Sequence, residues 1–467
     1  MTHVRSSNDP ARRPGLVVML LGLIAALPAI GLAQNSPPTA PAEGAEGEDA
    51  EKAEAKPEID PRSGIASERA RQLRIDRQTE VTSGLPTESD FISSLSVPDE
   101  LIGNRGIRSG RVVVLPLFSI GAFYTDNTEA AAEGDEREEL SLTAIGEVRV
   151  QSALARHQFG VDARATSSYS FQDDDEDIFD WVVGADSRID LTRRSSVFGR
   201  LEYSFDTEDD SSADAGGITN DIEVIDADIG YQLRNDKIRY IADAGVLRED
   251  FSGDDSGDRD NTTFELNQTF QHQTTRQLTL FASPQYAYTV FDREVADDGE
   301  VRDAHNATLL VGADLALNAA LTLSGAVGYS QLIFENSDQS NAGTGIASTA
   351  LEYRLSSLTA IELSGIRSLE ISTLDGADAR TDTAVALGVT RQVGLDTSLS
   401  AEVGATFVDF DGIDRNDVDL AAGAGISHRL TDNLFFTLAY QYERRLSNDD
   451  GVEFDENRGI AGFSVIY

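Results

Sequence analysis

Leu434-Phe435-Phe436-Thr437-Leu438-Ala439-Tyr440-Gln441-Tyr442-Glu443-Arg444-Arg445 sets Leu434, Phe436, Leu438, Tyr440 and Tyr442 in alternation with Thr437, Ala439, Gln441, Glu443 and Arg445. Along an extended chain successive side chains point to opposite faces, so this stretch carries one apolar and one polar face. Strands of soluble sandwiches run near ~5 to 6 residues, whereas tilted strands that cross a bilayer need ~9 to 11. A strand of this length, with aromatic residues gathered toward its ends, suits a membrane wall with lipid on one side and water on the other.

The same texture extends back toward the N-terminus. Trp181, Val183, Ala185 and Ile189 share a face opposite Asp180, Gly184, Asp186, Arg188 and Asp190, and Leu321, Leu323, Val327 and Tyr329 oppose Thr322, Ser324, Gly328 and Ser330. Long acidic loops, such as Asp126 to Glu139, Asp206 to Asp221 and Asp292 to Asp303, alternate strictly with short turns, such as Arg193-Arg194, Asn235-Asp236 and Thr431-Asp432. From Arg111 onward this gives about eighteen antiparallel strands, with about sixteen as the alternative count and both termini on the short-turn side. An open sheet edge in lipid would leave amides unpaired, so the expected fold is all-β: a closed, up-and-down transmembrane barrel with long acidic extracellular loops and short periplasmic turns. Eighteen strands ~4.8 Å apart and tilted by ~40° make a cylinder roughly 35 Å across, which leaves room for an aqueous lumen.

The ends of the chain agree with export. Arg12 and Arg13 precede an apolar run from Leu16 to Leu27, and Gly31-Leu32-Ala33 offers small residues for cleavage, so residues 1–33 read as a signal peptide cut after Ala33. That run is shorter than the ~20 residues of a spanning helix. Residues 34–110 are expected to be a disordered, periplasmic N-terminal segment: from Gln34 to about Pro61 almost no large apolar residue is present, and Ser67 to Arg77 offers at most one short helix. Residues 111–467 form the expected barrel. At its end Phe463, Val465 and the terminal Tyr467 share a face, which resembles the C-terminal strand signal read by the barrel assembly machinery of Gram-negative outer membranes.

Composition narrows the chemistry. There are 81 Asp and Glu against 38 Lys and Arg, a net charge of -43, and no Cys, which excludes disulfides, iron–sulfur centres and thiolate metal sites. No HExxH, GxSxG or phosphate-cradling glycine loop occurs. His157, His272 and His428 lie beside short turns, His305 follows an acidic loop, and His3 belongs to the signal peptide. No enzymatic activity, cofactor, caged metal or nucleic-acid partner is expected. Asp173-Asp174-Asp175-Glu176-Asp177 and Asp254-Asp255-Ser256-Gly257-Asp258-Arg259-Asp260-Asn261 are dense in hard oxygen ligands without the spacing of a calcium loop. Weak, dispersed divalent-cation binding that bridges these loops to lipopolysaccharide is the expectation they carry.

The entry strand Arg111 to Asn127, in which Pro116 precedes a strand ending in Tyr124-Thr125-Asp126-Asn127, resembles the putative beta-barrel porin 2 family of Gram-negative outer membranes. Leu363-Ser364-Gly365, Leu387-Gly388-Val389 and Tyr440-Gln441-Tyr442-Glu443-Arg444-Arg445 before Ser447-Asn448-Asp449 extend the resemblance over Arg111 to Tyr467. It implies a porin-like architecture with a loosely defined solute, set among outer-membrane lipids and lipopolysaccharide and, in some members, associated with envelope polysaccharide.

The polar faces supply the candidate pore-lining residues Arg164, Asp180, Asp186, Arg188, Asp190, Arg200, Glu202, Glu443 and Arg445. Pairing of such charges across neighbouring strands would serve the wall alone. Their acidic excess also predicts a negative potential in the lumen. Two functions fit: a passive channel for small polar or cationic solutes or oligosaccharides, and a structural or surface-interaction barrel with a plugged lumen.

Overall fold

In the computed structural model the chain divides into two units, Met1–Ile65 and Ala66–Tyr467. The structure describes residues 91–95, 97, 101 and 106–467, except 133, 135, 153, 155, 173–176, 209–220, 253–258, 293–301, 337–338, 375 and 450. The expected signal peptide, its cleavage point, the disordered stretch and the short helix at Ser67 to Arg77 all lie outside the described residues.

A short strand β1 (Ile107–Ser109) leads into the wall: β2 (Val112–Thr125), β3 (Glu139–Ser152), β4 (His157–Ser170), β5 (Ile178–Asp190), β6 (Ser195–Thr207) and β7 (Asp221–Arg234). Next come β8 (Ile238–Ser252), β9 (Asn261–Gln273), β10 (Leu278–Phe291), β11 (Ala304–Asn318), β12 (Leu321–Phe334) and β13 (Ala342–Ser356). The circuit ends with β14 (Thr359–Ile371), β15 (Ala379–Val393), β16 (Thr397–Asp411), β17 (Asn416–Arg429), β18 (Leu434–Ser447) and β19 (Phe454–Ile466). Each of these pairs antiparallel with the next, and β19 closes onto β2 from Arg458↔Thr125 to Ile466↔Leu117. The result is a closed barrel of eighteen strands, β2 to β19, with β1 clipped onto β2 by Ile107↔Val114.

Four of the short turns share one device. Thr192 Oγ1 accepts hydrogen bonds from the amides of Arg194 and Ser195, both at 3.1 Å, and Asn235 Oδ1 accepts from Lys237 at 3.0 Å and Ile238 at 2.9 Å. Thr275 and Thr431 repeat the pattern. A short polar side chain that caps two amides stabilises a tight reversal without a special backbone geometry, which is why Thr and Asn recur there. The opposite end is less uniform than the sequence suggests. The connection from β16 to β17 is only Gly412 to Arg415, turned at Gly412 with φ 106°.

Faces follow the alternation. On β18, Leu438 is 49% exposed and the neighbouring Thr437 only 3%, so Leu438 faces lipid and Thr437 the interior. Phe118, Ile120, Tyr124, Tyr440, Phe463 and Val465 continue the outer apolar surface beside the closure between β19 and β2.

Two features depart from a uniform cylinder. First, Phe91, Ile92, Leu95, Val97 and Leu101 are buried against inner-face apolar residues of β2, β3, β18 and β19, namely Phe123, Ile145, Ala439 and Ile460 above and Leu117, Phe435 and Ile466 below. These residues belong to the 34–110 segment expected to be disordered and periplasmic, and they pack on the inner face of the barrel. Their apolar side chains gain by leaving water for an apolar patch on an otherwise polar inner wall.

Second, the ladder between β13 and β14 stops at Ala347↔Arg367, although both strands continue toward the long-loop end. There Arg367 takes over from the ladder, donating from Nε to Gly345 O at 3.0 Å, from Nη1 to Thr383 Oγ1 at 2.6 Å and from Nη2 to Thr344 Oγ1 at 3.3 Å. A carbonyl freed inside a membrane needs a donor, and Arg367 is that donor. Beyond the split the β14–β15 hairpin leans inward. Ala379, on the same side of β15 as the exposed Val385 and Leu387, clusters with Leu369, Ala304, Leu332, Phe334 and Ala342.

Candidate functional site

The candidate site is the lumen. All nine residues singled out in the sequence fall on the inner face: Arg164 on β4, Asp180, Asp186, Arg188 and Asp190 on β5, Arg200 and Glu202 on β6, and Glu443 and Arg445 on β18. Register fixes this, because Thr166↔Asp180, Gly160↔Asp186, Asp186↔Arg200 and Gly184↔Glu202 carry one face from strand to strand. A Cβ on Gly160 would lie 2.1 Å from Asp186 Oδ1, so the missing side chain is what lets that carboxylate lie across the neighbouring strand.

Pairing runs along strands as much as across them. Arg188 Nε meets Asp190 at 3.2 Å and Arg200 Nη2 meets Glu202 at 2.7 Å, each partner two residues away on the same strand. Arg415 with Asp417 at 2.6 Å and Arg458 with Glu456 at 2.7 Å repeat the spacing. Residues i and i+2 share a face some ~6.7 Å apart, within easy reach of an Arg. Sequence reasoning foresaw cross-strand pairs and missed this intrastrand arrangement, for which the signal was an Arg two positions from an acid.

At the long-loop end of β14 to β19 the charges form a buried row. Arg380 joins Glu370 at 3.1 Å and Asp382 at 3.3 Å, Arg445 grips both oxygens of Asp419 at 2.7 and 3.1 Å, and Arg458 reaches Glu443 at 3.3 Å. Thr125 Oγ1 donates to Glu456 at 2.5 Å and ties the row to β2. Glu443 is 0% exposed and Arg458 3%, so this row is wall structure shielded from bulk water. Arg380, Arg415 and Arg458 were not among the nine residues, since single strands do not reveal which charges will be shielded.

The wall from β4 to β9 is different. Asp162, Asp186, Asp226, Asp228 and Asp243 are half-buried and Glu265 is exposed, with Arg164, Arg200 and Arg239 among them. Asn267 Nδ2 donates to Asp243 at 3.1 Å, and Arg239 Nη2 donates to Gln232 at 3.2 Å. Asp180 alone of the nine is deeply buried on this side, at the long-loop end, where it accepts from the Thr207 amide at 2.9 Å.

Among the described residues one acidic group has metal-ligand spacing, Asp250 with Asp260 and Asp292. Arg248 already occupies it, donating to Asp250 and to both oxygens of Asp292 at 2.8 and 2.6 Å. The acidic runs at 173–176 and 253–258 lie outside the described residues. His305 stacks on Tyr288 at 4.5 Å and meets Glu335 at 3.4 Å, and His428 bonds Thr397 Oγ1 at 2.9 Å.

The family model described as Putative beta-barrel porin 2 matches residues 100–466. No curated protein matches the sequence. Among solved structures, the siderophore receptor PirA from Pseudomonas aeruginosa is similar at 9% identity and TM-score 0.40, over 78% of this chain and 81% of that one. The FrpB iron transporter from Neisseria meningitidis (F3-3 variant) gives 11% and 0.46 over 75% and 64%, and OccK3 (OpdO) from Pseudomonas aeruginosa gives 12% and 0.42 over 76% and 95%. Similarity this distant says nothing about what the chain binds.

Proposed function

The chain belongs to the putative beta-barrel porin 2 family, and from that premise we propose that it is a porin-like outer-membrane channel for passive passage of small polar or cationic solutes or oligosaccharides. The observation that carries the reading is the inner wall of β4 to β9, where the exposed Glu265 and the half-buried Asp226, Asp228 and Asp243 gather in one acidic region of the inner face. Fixed negative charge on an enclosed polar surface concentrates cations and repels anions. The nine candidate residues serve as pore lining in this reading, with those of β4 to β6 other than the buried Asp180 bordering the solute path and Glu443 and Arg445 holding the wall. No cofactor or catalytic step is assigned, and export by cleavage after Ala33 belongs to the same proposal.

Reversal potentials of purified protein in planar bilayers under a potassium chloride gradient test it. Cation preference that fades as salt rises is expected, because the Debye length falls from ~10 Å at 0.1 M to ~3 Å at 1 M. Anion preference, or no conductance from folded protein, would defeat the channel reading. The filled sector beside the closure favours the second reading, a structural barrel whose acidic loops hold divalent cations and lipopolysaccharide.

A further inference from the structure

The inner face beside the closure is apolar where a water-filled channel would have polar side chains. Phe123, Ile145 and Ile460 lie beneath Phe91, Ile92 and Leu95, while Leu117, Phe435 and Ile466 lie beneath Val97 and Leu101. The fit is specific in shape. A Cβ on Gly462 would stand 2.4 Å from Ile120 O and 2.8 Å from Leu95 Cδ2, and one on Gly121 2.8 Å from Ala461 O and 3.0 Å from both Leu95 methyls, so the two glycines let β2 and β19 approach closely and leave the notch that Leu95 enters. The Phe91 and Phe123 rings meet at 6.1 Å, and Ser464 Oγ donates to Leu95 O at 2.5 Å while Ser119 Oγ donates to Ser464 at 2.8 Å.

None of the described residues from 91 to 101 belongs to the sheet. The ladder from Arg458↔Thr125 to Ile466↔Leu117 is complete without them. They can leave the wall without unpairing a wall amide, which no strand of the barrel can do.

We infer that Phe91–Leu95, Val97 and Leu101 form a luminal strap that sits in the resting barrel and narrows its pore, so that the open cross-section depends on whether Leu95 is in its notch. This rests on the channel reading and adds regulation to it: a ligand or partner that withdraws the strap widens the path, and the acidic wall of β4 to β9 conducts in both states.

The chain has no Cys, so a single Ile92→Cys reports docking directly. The full mature protein is refolded with Ile92→Cys alone and with Ile92→Cys plus Leu95→Asp, and closure is checked by mobility before and after heating. Slow maleimide labelling in the first and fast labelling in the second is the expected result. Single-channel conductance of Leu95→Asp, and of Phe91→Asp with Leu95→Asp, should rise about twofold because open cross-section sets the current. Fast labelling with Leu95 intact would overturn the strap, as would unchanged conductance in folded variants whose Ile92→Cys has become reactive. Protected Ile92→Cys with no conductance in any variant would fall on the channel reading and remove the regulation built on it.

Discussion

At the long-loop end of β18 and β19, and on the inner wall of β6 to β9, outer apolar residues alternate with inner charged ones in the same local pattern. Their environments are nevertheless opposite. Glu443, Glu456 and Arg458 are dry and tied together, whereas Asp226 and Asp228 are half-buried and Glu265 is exposed. The difference teaches that charge on the inside of a barrel has two uses. Dry charges define geometry, because any one of them left without its partner is costly, and wet charges define the field that a solute feels.

The comparison breaks most visibly at Arg458. Arg458→Ala removes the cation that pairs with buried Glu443 and Glu456 and should cost about 3 to 5 kcal/mol, read as a lower unfolding midpoint in detergent. Glu265→Gln at an exposed position on the other wall should stay within about 0.5 kcal/mol. Equal losses would show that the two walls are equally dry.

A second test compares outside with inside on one strand. Leu438→Arg should cost about 2 to 4 kcal/mol and reduce assembled barrel, because a cation then faces lipid, while Thr437→Ala should be far milder. Heat-modifiable protein recovered from refolding measures both. Similar yields would void the face assignment of β18.

The third concerns permeation. Asp226→Asn, Asp228→Asn and Glu265→Gln together should lower the cation-to-anion permeability ratio, and neutralising Asp180, Asp186 and Asp190 together should lower it less, since Asp180 is already shielded. Replacing Arg445 and Asp419 as a pair by Met and Leu should leave the ratio unchanged in protein that still folds. A larger shift from the buried pair would place the solute path beside the closure.

The smallest effect is expected at the turns. Thr192→Ala or Thr431→Ala removes an acceptor for two amides at an exposed site and should cost about 0.5 to 1.5 kcal/mol, seen as a small shift of the same midpoint.

The wall itself was legible because period two is a local property. Alternation at Leu434 to Arg445 places Thr437 inside and Leu438 outside with no knowledge of neighbours, and counting reversals then leads to eighteen strands. Shielding inside the lumen is not local. Asp228 and Asp419 look alike in their strands, and only the burial of Asp419 beside Arg445 of the next strand separates them. The strap escaped notice because Phe91, Ile92, Leu95, Val97 and Leu101 have no sustained period, and its best clue, glycines at 121 and 462 in otherwise regular strands, has meaning only once β19 lies beside β2. The split at Arg367 was hidden for a related reason: an Arg among outer-face residues looks like an error of alternation until the missing ladder beyond Ala347 shows what it replaces.

The closure between β19 and β2 also has a kinetic consequence. Ser119 and Ser464, which bond across it, are 345 residues apart in the chain. Every other wall pairing joins neighbours in sequence and can zip from its own turn, but this one must wait until the last strand exists and must meet the full entropy of closing the longest loop. Leu95 touches both sides of that junction, through Gly121 on one strand and Gly462 on the other. The short segment just ahead of the barrel is therefore placed to hold the two ends in register while the last strand docks, turning a search between distant strands into the seating of one leucine.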